Sequence, residues 1–130
     1  STEERGMMTW QEELREALDR YPGGAERLLK AMDENRISMV SMNTCVYGHI
    51  MDNVGLPYED ARLRLVAAVR GPKRRANSTA SLSPLEGFAL VGHTDRYRHP
   101  ARWLALRAEV VTWLAEQGSA VGRAPGREGA

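Results

Sequence analysis

The stretch that decides the fold is TWQEELREALDRYPGG, residues 9–24. Thr9 and Glu12 have the spacing of a capping box, in which the hydroxyl and the carboxylate each bond a backbone N–H group that the first helical turn leaves unpaired. Apolar residues then recur at three- and four-residue intervals: Trp10, Leu14, Ala17, Leu18 and Tyr21. Because Pro22-Gly23-Gly24 interrupts this pattern, the stretch predicts one amphipathic helix that starts after Thr9.

A second helix is predicted from about Ala25 to Asn35, and it forms a hairpin with the first. Its predicted buried residues are Leu28, Leu29 and Met32. We interpret residues 37–42 as an extended connector. Asn43-Thr44 is predicted to cap a short helix in which Gly48 allows a close neighbour.

Three further helical segments follow in the second half. Pro57 is suited to a first helical turn, and a helix is predicted from there to about Val69. Its predicted apolar side is Tyr58, Leu63, Val66 and Val69. Ser83-Pro84 indicates another helix, which Gly87 and Gly92 are expected to keep short or irregular. The last helix is predicted from His99-Pro100 to Gln117, with Gly118 as its C-cap and with Trp103 and Trp113 in the core.

These segments predict an all-α, or nearly all-α, domain of four to five short helices. A chain of 130 residues with 42% hydrophobic content supports one modest core, over residues 9–117. We expect a flexible N-terminus over residues 1–8, a basic loop from Gly71 to Ser83, and a disordered tail over residues 118–130. The single cysteine excludes an internal disulfide and a zinc site with several thiolates.

Several classes of protein are disfavoured by what the sequence lacks. No apolar run approaches the roughly 20 residues needed to span a bilayer, and the polar start does not resemble a signal peptide. We therefore expect a soluble, cytoplasmic protein that does not bind membranes. The glycine-rich motifs of nucleotide and dinucleotide sites do not occur. We ascribe acidic pairs such as Glu12-Glu13 to the helix dipole, without a role in acid–base catalysis.

The formal net charge of +1 conceals a strong segregation along the chain. Residues 1–60 carry twelve acidic and six basic residues, whereas residues 61–107 carry ten basic and two acidic residues. This asymmetry has two interpretations: a basic face for an anionic partner, or two halves of one domain that attract each other.

Two clusters of basic residues are the candidate binding site. The first consists of Arg70, Lys73, Arg74 and Arg75, and the second of His93, Arg96, Arg98 and His99. They favour a non-enzymatic binding protein, without cofactor or metal, that engages a host protein or a small anionic ligand. Charge would steer the encounter, and an adjacent apolar surface would hold the complex. The alternative is a nucleic-acid-binding protein that uses the same arginines.

A third hypothesis is a hydrolase that depends on cysteine or on a metal ion. Cys45 and His49 stand four residues apart, so on a helix they share a face and the histidine could stabilise a thiolate. A metal site could be drawn from Cys45, His49, His93 and His99, with Asp95 as a further ligand. The competing interpretation is that Cys45 is a small buried apolar residue and His49 a partly exposed one.

Four features occur in a characteristic order: Ala31-Met32-Asp33-Glu34-Asn35, then Cys45-Val46-Tyr47-Gly48-His49-Ile50, then Gly87-Phe88, then a last helix with Trp103 and Trp113. This order resembles a group of small uncharacterised proteins of actinobacteria and their bacteriophages, which share a Cys-Val-Leu-Gly-Gln-like block. The resemblance spans roughly residues 25–117, with Tyr47 and His49 in place of the usual Leu and Gln. It implies an actinobacterial or phage accessory gene and no particular activity.

Overall fold

The computed structural model describes residues 8–70, 82–94 and 100–122, and all regular structure in these ranges is helical. The helices are α1 (Trp10–Arg20), α2 (Gly24–Asp33), α3 (Val46–Ile50), α4 (Tyr58–Leu65), α5 (Pro84–Thr94) and α6 (Pro100–Gly122). A π-helical turn, Val66–Arg70, continues α4. The all-α prediction is confirmed. Residues 1–7, 71–81, 95–99 and 123–130, where the predicted flexible N-terminus, basic loop and tail mostly fall, lie outside the described residues.

The first helix begins as predicted. Thr9 Oγ1 accepts a hydrogen bond from the Glu12 N–H at 3.1 Å, and the Thr9 N–H donates to Glu12 Oε1 at 3.0 Å. The α1 helix ends at Arg20, and Gly23 adopts a φ of 79°, which favours glycine because it has no Cβ. The next helix, α2, ends at Asp33, two residues before the predicted end. Asn35 follows with a left-handed φ of 60°.

The core lies where α2 packs against α3 and α6, while α5 packs against α1 and α6. Each helix contributes fully or almost fully buried side chains: Leu14, Leu18, Leu28, Met32, Ile50, Leu65, Leu85, Leu106 and Val110. Trp10 stacks on Phe88 with ring centroids 4.1 Å apart, which joins α1 to α5. Trp103 and Trp113 are partly buried against this core, as predicted.

The connector over residues 37–42 contains neither helix nor strand, as predicted, but the cap of α3 differs from the prediction. Cys45 is the N-cap, and its Sγ accepts a hydrogen bond from the Gly48 N–H at 3.3 Å. Asn43 instead donates its side-chain amide to the carbonyl groups of Asn53 and Leu56, both at 2.8 Å. A Cβ at Gly48 would lie 2.3 Å from Asn43 O, which confirms the predicted close neighbour.

The predicted buried side of α4 is wrong at two positions. Tyr58 and Leu63 are 57% and 54% exposed, whereas Ala61 and Leu65 are buried. The prediction assumed one regular helix to Val69, but the chain changes to π-helical geometry after Leu65. Tyr58 and Leu63 both precede this π turn, and the buried side of the α-helical part runs through Ala61 and Leu65, which are one turn apart.

The two C-terminal helices are longer than predicted. Gly87 and Gly92 do not interrupt α5, which extends through Thr94 and includes His93. The α6 helix continues to Gly122, so Gly118 is not its C-cap and the predicted disordered tail is helical over residues 118–122. Packing of α5 against α1 and α6 outweighs the low helix propensity of Gly87 and Gly92. Within the described ranges, we find no helix with the length and apolar character needed to cross a membrane.

Candidate functional site

The predicted basic residues lie mainly outside the described part of the chain. Arg70 is the last residue of the π turn, and His93 is in the last turn of α5; only their backbone positions are described. Lys73, Arg74, Arg75, Arg96, Arg98 and His99 lie outside the described residues. Residues that flank the first basic cluster contribute to two clefts.

The first of these, which we name the polar cleft, has a volume of about 230 Å³. Ala68 and Val69 line it just before the first basic cluster, and Ser83 and Pro84 line it where the described chain resumes. Its remaining walls come from α1, α3 and the chain before α1: Met8, Glu13, Glu16, Ala17, Arg20 and Tyr47. Residues 70–82 therefore start and end beside the same cleft.

Polar groups of this cleft are held by hydrogen bonds between helices. Tyr47 Oη donates to Glu13 Oε2 at 2.5 Å, and Glu13 Oε1 accepts from the Leu85 N–H at 3.0 Å. Burial raises the pKa of the Tyr47 phenol far above its ordinary value, and the Glu13 carboxylate adds to this effect. Tyr47 therefore keeps its proton at neutral pH and acts as a hydrogen-bond donor.

The second cleft, which we name the apolar cleft, has a volume of about 100 Å³. Most of its lining is aliphatic or thioether: Met39, Val40, Met42, Leu65, Leu82 and Leu90, together with Ser41, Cys45 and Glu86. Val40 is 89% exposed at its rim. Leu82 and Ser83 are adjacent in the chain and line different clefts, so both clefts lie beside the point where the described chain resumes after the first basic cluster.

The Cys45 and His49 side chains each form a hydrogen bond with a backbone group. Burial raises the pKa of the Cys45 thiol to about 11, and the Glu86 charge adds to this shift. His49 Nε2 lies 3.2 Å from Arg36 O, and burial lowers the pKa of the imidazole. Because a thiol with this pKa is protonated at neutral pH, the geometry does not support an activated nucleophile. His49 is also buried, whereas the sequence predicted partial exposure.

Metal ligation receives no support from the described residues, which contain no group of three or more suitable ligands. The other proposed ligands do not complete such a group there. The His93 side chain, Asp95 and His99 lie outside the described residues.

Ion pairs cross between the acidic first half and the basic second half. Arg107 Nε lies 2.7 Å from Asp33 Oδ1, and Arg15 binds Glu109 and Glu116 at 2.7 and 2.6 Å. The Arg107–Asp33 pair has the sense expected if the two halves attract each other, whereas in the Arg15 pairs the base comes from the acidic half. Arg62 is neutralised locally by Glu59.

Sequence reasoning missed residues in both clefts. Glu13 was ascribed to the helix dipole, but its carboxylate joins α1 to α3 and α5. Met39 and Met42 were assigned to a connector, although their imperfect alternation with polar residues was a signal that one side of this segment faces apolar groups. Comparison with protein-family models, curated proteins and solved structures finds no match to this chain.

Proposed function

We propose that this chain is a non-enzymatic binding protein that engages a host protein through a basic surface. In this role the chain is a phage-encoded accessory factor in the cytoplasm of a bacterial host. The observation that supports it is the position of the two clefts at the ends of residues 70–82, which contain Arg70, Lys73, Arg74 and Arg75.

The two kinds of surface have separate roles in this proposal. The cationic side chains attract an acidic segment of the partner and accelerate the encounter, an effect that salt screens. The apolar cleft then binds an apolar side chain of the partner, and Val40 at its rim adds contact area. Met39 and Met42 suit this role because methionine is flexible and polarisable and adapts to differently shaped ligands.

The test is affinity capture of host proteins by the wild-type chain and by three variants. The first variant is Lys73→Ala/Arg74→Ala/Arg75→Ala and the second is Val40→Asp. The matched control is Arg62→Ala/Leu63→Ala, which removes a partly exposed cation and an exposed apolar side chain from α4. We expect one host protein that the wild type and the control retain, that both test variants lose, and that 0.5 M salt elutes, a concentration of roughly three times physiological ionic strength.

Two outcomes would contradict the proposal. Equal capture by the wild type and both test variants would mean that neither surface binds the partner. Binding to random-sequence DNA, with a salt slope that decreases in the triple variant, would favour the nucleic-acid alternative. Titration with pyrophosphate tests the small anionic ligand, again by comparing the wild type with the triple variant.

A further inference from the structure

Asn53 is a buried polar residue whose side chain the fold leaves unsatisfied. It lies shortly after α3 and is 0% exposed, and its backbone N–H donates to Gly48 O at 2.8 Å. Neither its side-chain Oδ1 nor its Nδ2 has a hydrogen-bond partner among the described residues. A buried amide without partners destabilises the arrangement that buries it, because water would satisfy both atoms. A movement that admits water to Asn53 is therefore favoured by this side chain.

The loop that contains Asn53, residues 51–57, also has a strained backbone. Asp52 adopts a left-handed φ of 61°, a conformation that costs free energy for a residue with a Cβ. The Asn43 side chain opposes this strain, because its Nδ2 donates to the carbonyl oxygens of Asn53 and Leu56, both at 2.8 Å. Strain of this kind persists only where the surrounding structure enforces it, and it is typical of segments that switch conformation.

Helix α4, which follows this loop, has a weak attachment to the core. Of the residues in the core cluster, α4 supplies Leu65 alone. Arg64 Nη2 donates to Met51 O at 3.2 Å, a bond that ties α4 to the loop before it. At its other end α4 continues into the π turn, where the helical hydrogen-bond pattern changes. Changes of backbone geometry at both ends of an element allow it to move as one unit with the loop.

The core residue of α4 is also a wall of the apolar cleft. Leu65 lines this cleft together with Met39, Met42 and Leu90. The volume of the cleft is about 100 Å³, whereas an apolar cavity that binds benzene has a volume of roughly 150 Å³. With α4 in place, the cleft is therefore too small for an aromatic ring. Movement of α4 away from the core withdraws Leu65 and enlarges the cleft.

We propose that α4 and the loop over residues 51–57 form a movable wall of the apolar cleft, which opens to admit an aromatic side chain of the binding partner. The unsatisfied Asn53 amide favours the open form, in which water reaches it. An aromatic side chain suits the lining, because the sulfur atoms of Met39 and Met42 make favourable contacts with aromatic rings. The role of the cleft rests on the proposed function, whereas the movement of α4 does not.

The first experiment measures amide hydrogen exchange by NMR at neutral pH. In the wild type, we expect the amides of α4 to be about tenfold less protected than those of α1 and α2, because α4 opens without the rest of the domain. Asn53→Leu replaces the amide with an apolar side chain of similar shape, so it should raise the protection of α4 about tenfold. Asn53→Asp keeps the shape but buries a charge, so it should lower that protection about tenfold.

The matched control is Gln11→Leu, which also replaces an amide with an apolar side chain. Gln11 is exposed on α1, so the protection of α4 should not change. Equal protection of α4 and α1 in the wild type would mean that α4 opens only when the whole domain unfolds, and it would overturn the proposal. Protection of α4 that Asn53→Asp leaves unchanged would overturn it as well, even if Asn53→Leu fails to fold.

The second experiment tests whether the same movement opens the apolar cleft. Indole, a small aromatic probe, is titrated into each chain, and the methyl resonances of Met39 and Met42 report its binding. Because only the open form admits the ring, the apparent dissociation constant varies inversely with the open fraction. Asn53→Leu should therefore weaken indole binding, and Asn53→Asp should strengthen it, each by the factor by which it changes the protection of α4.

Two results of the indole titration would overturn the proposal. One is the absence of binding to all of these chains, and the other is an affinity that neither Asn53 variant changes. Neither experiment uses a host protein. Failure of the movable wall is therefore distinguishable from failure of the proposed function, which affinity capture measures separately.

Discussion

Helices α1 and α5 begin with the same capping arrangement, one in water and the other in the core. In α1, Thr9 and Glu12 exchange hydrogen bonds at the exposed surface. In α5, the Ser83 N–H donates to Glu86 Oε1 at 3.0 Å and the Glu86 N–H donates to Ser83 Oγ at 3.3 Å. Ser83 is 7% exposed and Glu86 is 3% exposed. Water can replace the first set of bonds when they break, whereas it has poor access to the second set.

This difference shows that one local motif has a different energetic weight in each place. The exposed box decides where α1 starts. The buried box also pairs the Ser83 and Glu86 N–H groups inside the core, beside Cys45. In the same turn, the Leu85 N–H donates to Glu13 of α1. A buried N–H group without an acceptor there would destabilise the fold by the full free energy of its desolvation. Four predictions test this comparison, beginning with the largest effect.

We expect Glu86→Ala to lower the free energy of unfolding by about 3 kcal/mol, because it leaves the buried Ser83 N–H without its acceptor and opens a small cavity. Glu12→Ala should have a much smaller effect, since water reaches the Thr9 N–H. Urea unfolding of both variants measures the difference. Glu86→Gln is the control, because its amide oxygen can still accept from Ser83. Equal losses from Glu86→Ala and Glu12→Ala would show that burial of the box is without consequence.

The second prediction concerns the bond that connects the two helices. Glu13→Ala removes the acceptor of both the Leu85 N–H and the Tyr47 hydroxyl, so we expect a loss of about 2 kcal/mol. Glu16→Ala is the matched control, because Glu16 is an exposed acid one turn later on the same helix. The two variants are compared by urea unfolding under one set of conditions. If they were equally stable, the bridge between α1, α3 and α5 would contribute nothing measurable.

The third prediction compares the two capping hydroxyls directly. Removal of an N-cap hydroxyl costs about 1 kcal/mol at an exposed helix start, which we expect for Thr9→Ala. Ser83→Ala should cost about 2 kcal/mol, because the Glu86 N–H that it leaves unpaired is buried. Thermal and urea unfolding of the pair measure the difference. A greater loss from Thr9→Ala would reverse the assignment of energetic weight.

The same contrast explains which parts of the fold the sequence predicts. Everything that starts and ends α1 is local, so Thr9, Glu12 and Pro22 were sufficient to predict that helix. The start of α5 was predicted from Ser83-Pro84, but its burial depends on α1, some 70 residues away in the chain. The exposed Tyr58 and Leu63 were assigned to the core because they are large apolar residues, whereas the buried side of α4 runs through Ala61 and Leu65.

The candidate site was less predictable than the fold. Charge alone selected the basic clusters, and most of their residues lie outside the described ranges. The clefts beside the first cluster come from residues that look ordinary in sequence, such as Glu13 in a first helical turn and Met39 in a connector. Their importance arises from long-range packing, which no local spacing encodes.

The last and smallest expected effect is the pH dependence of the free energy of unfolding, to which the exposed Glu12 and the buried His49 contribute at different pH values. Accepting hydrogen bonds from the Thr9 backbone and side chain lowers the pKa of Glu12 below its ordinary 4.5. Its contribution to stability is therefore present above pH 4.5 and lost as the pH falls through the lower, folded-state pKa. Burial lowers the pKa of His49 below 6.5. The unfolded chain then binds that proton first, so stability decreases as the pH falls below 6.5.

The two groups thus act in different pH windows, and single variants distinguish them. We expect His49→Gln to flatten the pH dependence of the free energy of unfolding just below pH 6.5, and Glu12→Gln to flatten it only below pH 4.5. Urea unfolding between about pH 3.5 and about pH 7.5, a range that brackets the ordinary pKa values of the two groups, measures both profiles. His93 and His99 are present in both chains, so the difference between wild type and His49→Gln isolates the buried imidazole. If His49→Gln leaves the profile unchanged, the imidazole has the same pKa in the folded and unfolded chains. That result would contradict the prediction, which rests on burial of the imidazole beside Arg36 O.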